Sequence, residues 1–104
     1  METIKDLDLK EKVLEEKSPV LLYFYSPLQV PCLLVEAPLE NLEKEYEGRV
    51  RFYKMNISEG VDTCLKYGVL SVPKMLIFKD GHVVAQRVGS ASSAVLASFI
   101  KAHI

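Results

Sequence analysis

The chain has 104 residues, 49% of them hydrophobic and 26% charged, and a formal net charge of -1. A domain of this length buries roughly 60–70% of its unfolded surface, and no second core of useful size fits beside the first. A charge near zero, with no run of five or more like charges, points away from nucleic acid and anionic membrane as partners.

Met1 to Lys10 alternates charged and apolar residues and lacks the uninterrupted apolar segment of a secretion signal, so the expected location is cytoplasmic. The longest apolar run, Val20 to Tyr25, falls far short of the ~20 residues that span a bilayer. Cys32 and Cys64 are expected as free thiols, the default in a reducing cytosol. Together with His82 and His103 they lack the close pairing of a zinc site, so neither a metal nor a cofactor is expected.

Thr3 to Leu7 is expected as a short edge strand. Asp8 and Glu11 have capping-box spacing and predict a helix start, with Leu9, Val13 and Leu14 on its apolar face and Ser18-Pro19 as its stop. Val20 to Tyr25 is apolar on both faces and predicts a central strand covered by helices on both sides.

Pro31 suits the first position of a second helix, whose buried stripe is Val35, Pro38, Leu39, Leu42 and Tyr46 and whose stop is Gly48. Pro38 removes one backbone hydrogen bond and predicts a kink. The acidic face from Glu36 to Glu47 reads as solvated, with a Glu40–Lys44 pair.

Val50 to Ile57 reads as a strand, and strand, helix, strand in this order demands a right-handed parallel crossover. Glu59 to Tyr67 predicts a short helix with Val61, Cys64 and Leu65 inward and Gly68 as its stop. Met75 to Phe78 and His82 to Val88 flank Asp80-Gly81, the signature of a hairpin. Ser90 or Ser92 then caps a last helix with Val95, Leu96, Phe99 and Ile100 on one face.

Against this order stand the Lys54-Met55-Asn56 strand end, the Lys66-Tyr67-Gly68-Val69 helix end, the Val72-Pro73 step, the Phe78-Lys79-Asp80-Gly81 turn and the Val88-Gly89 pair. Together, in register, they make the chain resemble the thioredoxin family from about Phe24 to Gly89. The resemblance implies an α/β thioredoxin fold over residues 1–104 as a single domain, with a central mixed sheet of about five strands and helices on both faces. In that register Gln29-Val30-Pro31-Cys32 occupies the place of Cys-Gly-Pro-Cys, with Gln29 at the nucleophile and Cys32 at the resolving cysteine.

An amide has no ionisable proton and cannot attack a disulfide as a thiolate does, so dithiol turnover is not expected. Tyr23 replaces the family's buried acid, and without that partner Lys54 is expected to be solvated. Tyr25 and Leu28 replace its two flanking tryptophans, and Pro38 falls one residue after its helix proline. Val72-Pro73 resembles the family's cis-proline loop, which leaves the Val72 backbone free to pair with an extended peptide.

The implied binding face comprises Leu28, Gln29, Val30, Pro31, Leu33, Val72, Pro73 and Gly89, with Leu28, Val30 and Leu33 partly exposed. Its expected occupant is a protein partner or client, with homodimerisation through Leu28, Val30, Leu33 and Val72 as a further expectation. The alternative is a monothiol redox protein acting through Cys32, because a helix N-terminus favours a thiolate. The competing reading of Cys32 is a shielded small hydrophobe, and Cys64 reads as core filler.

Overall fold

In the computed structural model, which describes residues 1–104, the period-2 alternation of a single strand sorts the core. The strands are β1 (Glu2–Thr3), β2 (Val20–Tyr25), β3 (Arg51–Asn56), β4 (Lys74–Lys79) and β5 (His82–Val88), and the helices are α1 (Val30–Glu45), α2 (Val61–Tyr67) and α3 (Ser93–His103). They form one sheet in the order β1-β3-β2-β4-β5. β2 runs parallel to β3 and antiparallel to β4, which makes the sheet mixed with β2 at its centre. Leu21 and Tyr23 point to the side where Val35, Leu39 and Leu42 of α1 and Leu96 and Ile100 of α3 pack. Val20, Leu22 and Phe24 point to the other side, against Leu9 and Val13. Full burial of each such aliphatic side chain stabilises the fold by about 1.5–3 kcal/mol, which is why a strand apolar on both faces takes the middle.

The N-terminal segment departs from expectation. β1 is only Glu2–Thr3, paired with Tyr53 and Lys54 of β3, and the chain then turns through a 3-10 turn at Asp6–Asp8 and a π-helical turn at Lys10–Leu14. Asp8 does not open the helix. Its carboxylate reaches back 2.9 Å to accept from the Lys5 N–H, so the helical run begins one turn early and Glu11 is left exposed. The early start places Asp6 where it caps a different helix, α2.

α1 starts at Val30 with Gln29 as its N-cap residue, so Pro31 is second in the helix rather than first. The helix runs unbroken through Pro38. Val35, Leu39, Leu42 and Tyr46 are buried as the stripe requires. The acidic face is not simply solvated: Glu36 pairs with Lys54, Glu43 lies 3.1 Å from the amino group of Met1, and Glu40 and Lys44 form no ion pair.

α2 ends at Gly68, whose φ of 64° sets the left-handed cap. Its inward face was misassigned by periodicity: Val61 and Leu65 are 55% and 77% exposed, while Thr63 is buried and Cys64 and Tyr67 pack partly against the core. The reason is the helix's anchoring at its start, where Thr63 is held inward by Asp6 and the whole short helix is rotated accordingly. At the β4–β5 hairpin, Asp80 and Gly81 both take positive φ, 51° and 78°, as a two-residue turn demands. Ser92 caps α3, accepting from the Val95 N–H at 3.3 Å.

Candidate functional site

The sheet's parallel pair, β2 and β3, delivers its carboxyl ends to the edge where α1 begins. Tyr25 ends β2, Ser26 to Leu28 form a turn in which the Gln29 N–H donates to the Ser26 carbonyl at 3.1 Å, and α1 follows at once. The Gln29 carbonyl accepts from the Cys32 N–H at 3.1 Å, but the Gln29 side chain caps nothing and stands exposed. Leu28 is 88% exposed, Val30 66% and Leu33 59%, with Pro31 exposed between them.

Cys32 lies on the opposite side of the same turn and is only 1% exposed. It packs with Tyr23, Val35 and Met75 in the core beneath α1 and α3. The Tyr23 hydroxyl donates to the Cys32 carbonyl oxygen at 2.7 Å. Burial, followed by the nearness of Cys32 and Glu36, pushes the Tyr23 phenol far above its usual range, so this group is a permanent donor. Tyr23 stacks on Tyr25 with ring centroids 5.6 Å apart.

Lys54 is not the solvated lysine anticipated. Its ammonium lies 2.6 Å from Glu36 and 5.3 Å from the Tyr25 ring centroid, with both charged side chains about three-quarters or more buried. The hydrogen bond to Glu36 raises the lysine's pKa above its ordinary value against the opposing effect of burial. Sequence reading missed Glu36 because helical spacing placed it outside the apolar stripe. The only signal was Lys54 itself, a charge between the buried Tyr53 and Met55 of β3.

The second arm of the site is the segment after α2. The Val72–Pro73 peptide is cis. The Gly89 N–H donates to the Pro73 carbonyl at 2.8 Å, which ties the end of β5 to this loop. Val72 is half-buried, and neither its N–H nor its carbonyl is hydrogen-bonded within the chain. Lys74, at the start of β4, is buried and directs its ammonium to the Gly68 carbonyl at 3.3 Å, where a helix C-terminus favours a cation. That lysine, too, went unread in the sequence, although it directly precedes the apolar run Met75 to Phe78.

Between the two arms lies an open groove of about 570 Å³, lined among others by Gln29, Ile57, Leu65, Leu70 and Val72. It brings Gln29 and Val72 together with the outward face of α2, which periodicity had turned inward, while Leu28, Val30, Pro31, Leu33, Pro73 and Gly89 do not line it. Cys64 also borders it, as a half-buried thiol whose pKa is raised mainly by burial and then by Asp6. Both cysteines are free.

This is the arrangement of a known family. The thioredoxin family profile matches residues 1–102. The chain belongs to the thioredoxin family. It is 39% identical over 99 residues to thioredoxin C-2 of Corynebacterium nephridii, a match covering 95% of this chain and 92% of that one. It is 36% identical over 101 residues to a thioredoxin of Pseudomonas aeruginosa and 38% identical over 101 residues to one of Haemophilus influenzae, covering in each case 97% of this chain and 94% of the relative. The fold is therefore the α/β thioredoxin fold with a five-stranded mixed sheet. No helix of the chain is long and apolar enough to cross a membrane.

Proposed function

We propose that this thioredoxin-family chain does not perform dithiol exchange and instead uses the face around Gln29 and Val72 to bind other proteins. The observation that carries the reading is the pairing of an exposed amide with a buried thiol: Gln29, the N-cap residue of α1, is exposed, and Cys32 is 1% exposed. Gln-Val-Pro-Cys then stands in place of Cys-Gly-Pro-Cys as a degenerate form of the motif. Dithiol exchange depends on two thiols a turn apart, because an intramolecular group reaches effective molarities up to ~10⁵ M or beyond that free thiols do not match. An amide supplies neither nucleophile nor leaving group. What the face retains is exposed apolar surface at Leu28, Val30 and Leu33, and an unpaired backbone at Val72, at the base of which Pro73 and Gly89 hold the loop. Those are means of recognition. A cytoplasmic setting fits two unpaired thiols.

A second reading keeps Cys32 as a monothiol, on the strength of its place in the first turn of α1. Its thiolate would attack a disulfide RSSR, form the Cys32–S–S–R bond and release RS⁻, leaving an external thiol to restore it. Burial of the thiol opposes that step.

Reduction of a protein disulfide by dithiothreitol, with and without the chain, separates the readings. The docking reading expects no acceleration by the wild type and a gain of turnover in Gln29→Cys. Acceleration by the wild type that disappears in Cys32→Ser overturns it and establishes the monothiol.

A further inference from the structure

The face built around Gln29 has a shape as well as a composition. One part of it is convex: Leu28, Val30 and Leu33 project from the head of α1 at 88%, 66% and 59% exposure, with Val30 and Leu33 one helical turn apart. The other part is concave, the groove of about 570 Å³ whose rim carries Val61, Leu65 and Leu70 at 55%, 77% and 96% exposure. Gln29 lines the groove and is flanked in the chain by Leu28 and Val30, so ridge and groove share a border.

We infer that the partner of this face is a second copy of the chain, in a two-fold dimer that seats the α1 ridge of each copy in the α2 groove of the other. This rests on the docking role proposed for that face and names its occupant. At these exposures the six residues together present on the order of 800 Å², comparable to what each partner contributes to a standard interface. A two-fold interface uses the same patch twice and must be self-complementary. A ridge beside a groove on one face meets that requirement, whereas a ridge or a groove alone does not.

Charge agrees with shape. No lining residue of the groove is charged, neither Leu28, Val30 nor Leu33 has a charged immediate neighbour in the chain, and the charges that follow Val61 and Leu65 on α2, Asp62 and Lys66, are of opposite sign. The chain's net charge of -1 adds little repulsion at longer range.

The test is sedimentation equilibrium of the whole chain from about 1 µM to about 1 mM, the range in which a standard interface of modest quality dissociates. The expected result is a monomer–dimer equilibrium. Leu33→Asp on the ridge and Leu70→Asp in the groove each weaken it by about tenfold or more, and Val84→Asp, on the exposed edge of β5, leaves it unchanged. Mixing the two variants supplies the discriminating result: the heterodimer retains one intact ridge-in-groove contact, so the mixture associates more tightly than either variant alone. A mixture no tighter than its parts overturns the arrangement, as does a dimer insensitive to both substitutions.

A reduced, unfolded polypeptide added to the wild type distinguishes this failure from failure of the docking role. A monomer at 1 mM that binds the polypeptide, with amide shifts at Val72 and Leu70, overturns the dimer and leaves docking standing. A monomer that binds nothing overturns both.

Discussion

The Thr63 hydroxyl donates to the Asp6 carboxylate at 2.6 Å, across 57 positions of sequence. The same carboxylate accepts from the Thr63 N–H at 2.9 Å and the Asp62 N–H at 3.1 Å, the unpaired donors at the start of α2. α2 has glycine at its own N-cap position and no side-chain cap there, so Asp6 does the capping from the N-terminal segment. Replacement by alanine, Asp6→Ala, is expected to destabilise the fold by about 1–2 kcal/mol in urea unfolding, with Asp6→Asn losing less because it keeps one acceptor.

The same contact predicts a pH dependence. Burial pushes the Asp6 carboxyl upward, but the hydrogen bonds from Thr63 and Asp62 together outweigh it and leave its pKa below the ordinary 3.8. A carboxyl lowered in the folded state contributes stability that is complete above 3.8 and is lost as pH falls through the lower folded value. Unfolding measured between about pH 2 and pH 6 should show the wild type losing stability toward acid faster than Asp6→Asn. Parallel curves for the two would refute the assignment.

Tyr23→Phe tests the bond to the Cys32 carbonyl at 2.7 Å. The ring and its packing survive and one buried donor goes, so the expected loss is about 0.5–1.5 kcal/mol. Because the hydroxyl anchors the first turn of α1, hydrogen exchange at the Cys32 and Leu33 amides should accelerate in the variant more than at Leu39 or Leu42.

The Lys54–Glu36 pair is sheltered, with side-chain exposures of 20% and 24%. A cycle of Lys54→Met, Glu36→Gln and the double variant should return a coupling of about 0.5–1 kcal/mol, at the upper end for ion pairs near a surface. A coupling indistinguishable from zero would mean that the pair is incidental to the fold.

Gly68 and Gly81 both have positive φ, 64° and 78°, yet only one is crowded. A Cβ at Gly68 meets nothing within 4 Å, whereas at Gly81 it lies 2.8 Å from the backbone oxygen of Leu14. Gly68→Ala should cost about 1–2 kcal/mol, from backbone strain alone. Gly81→Ala should cost about 1–3 kcal/mol beyond that, since the π-helical turn ending at Leu14 must shift. Melting curves of the two variants compared side by side decide this.

Local pattern was enough for the middle of the fold. Val20 to Tyr25 is apolar at every position, which only a strand covered on both faces accommodates, and Asp80-Gly81 can be little other than a tight turn. The stripe of Val35, Leu39, Leu42 and Tyr46 declared α1, and the position of Cys32 in its first turn followed. The exposure of Leu28, Val30 and Leu33 was expected from the resemblance, which places them on the family's docking face, and for Val30 and Leu33 it also fits a helix that buries Val35 and Leu39.

Tertiary structure alone decided what the chain does with its ends and its charges. A seven-residue helix has too few turns for periodicity to orient it, so the outward turn of Val61 and Leu65 was set by Asp6, a residue no window around α2 contains. Glu36 and Lys54 sit 18 positions apart on a helix and a strand, and their pairing exists only once α1 lies on the sheet. The sequence by itself determined the elements from Val20 onward, since those depend on spacing within a few residues. The groove beside the head of α1, the burial of Cys32 and the cap on α2 depend on segments that meet only in space.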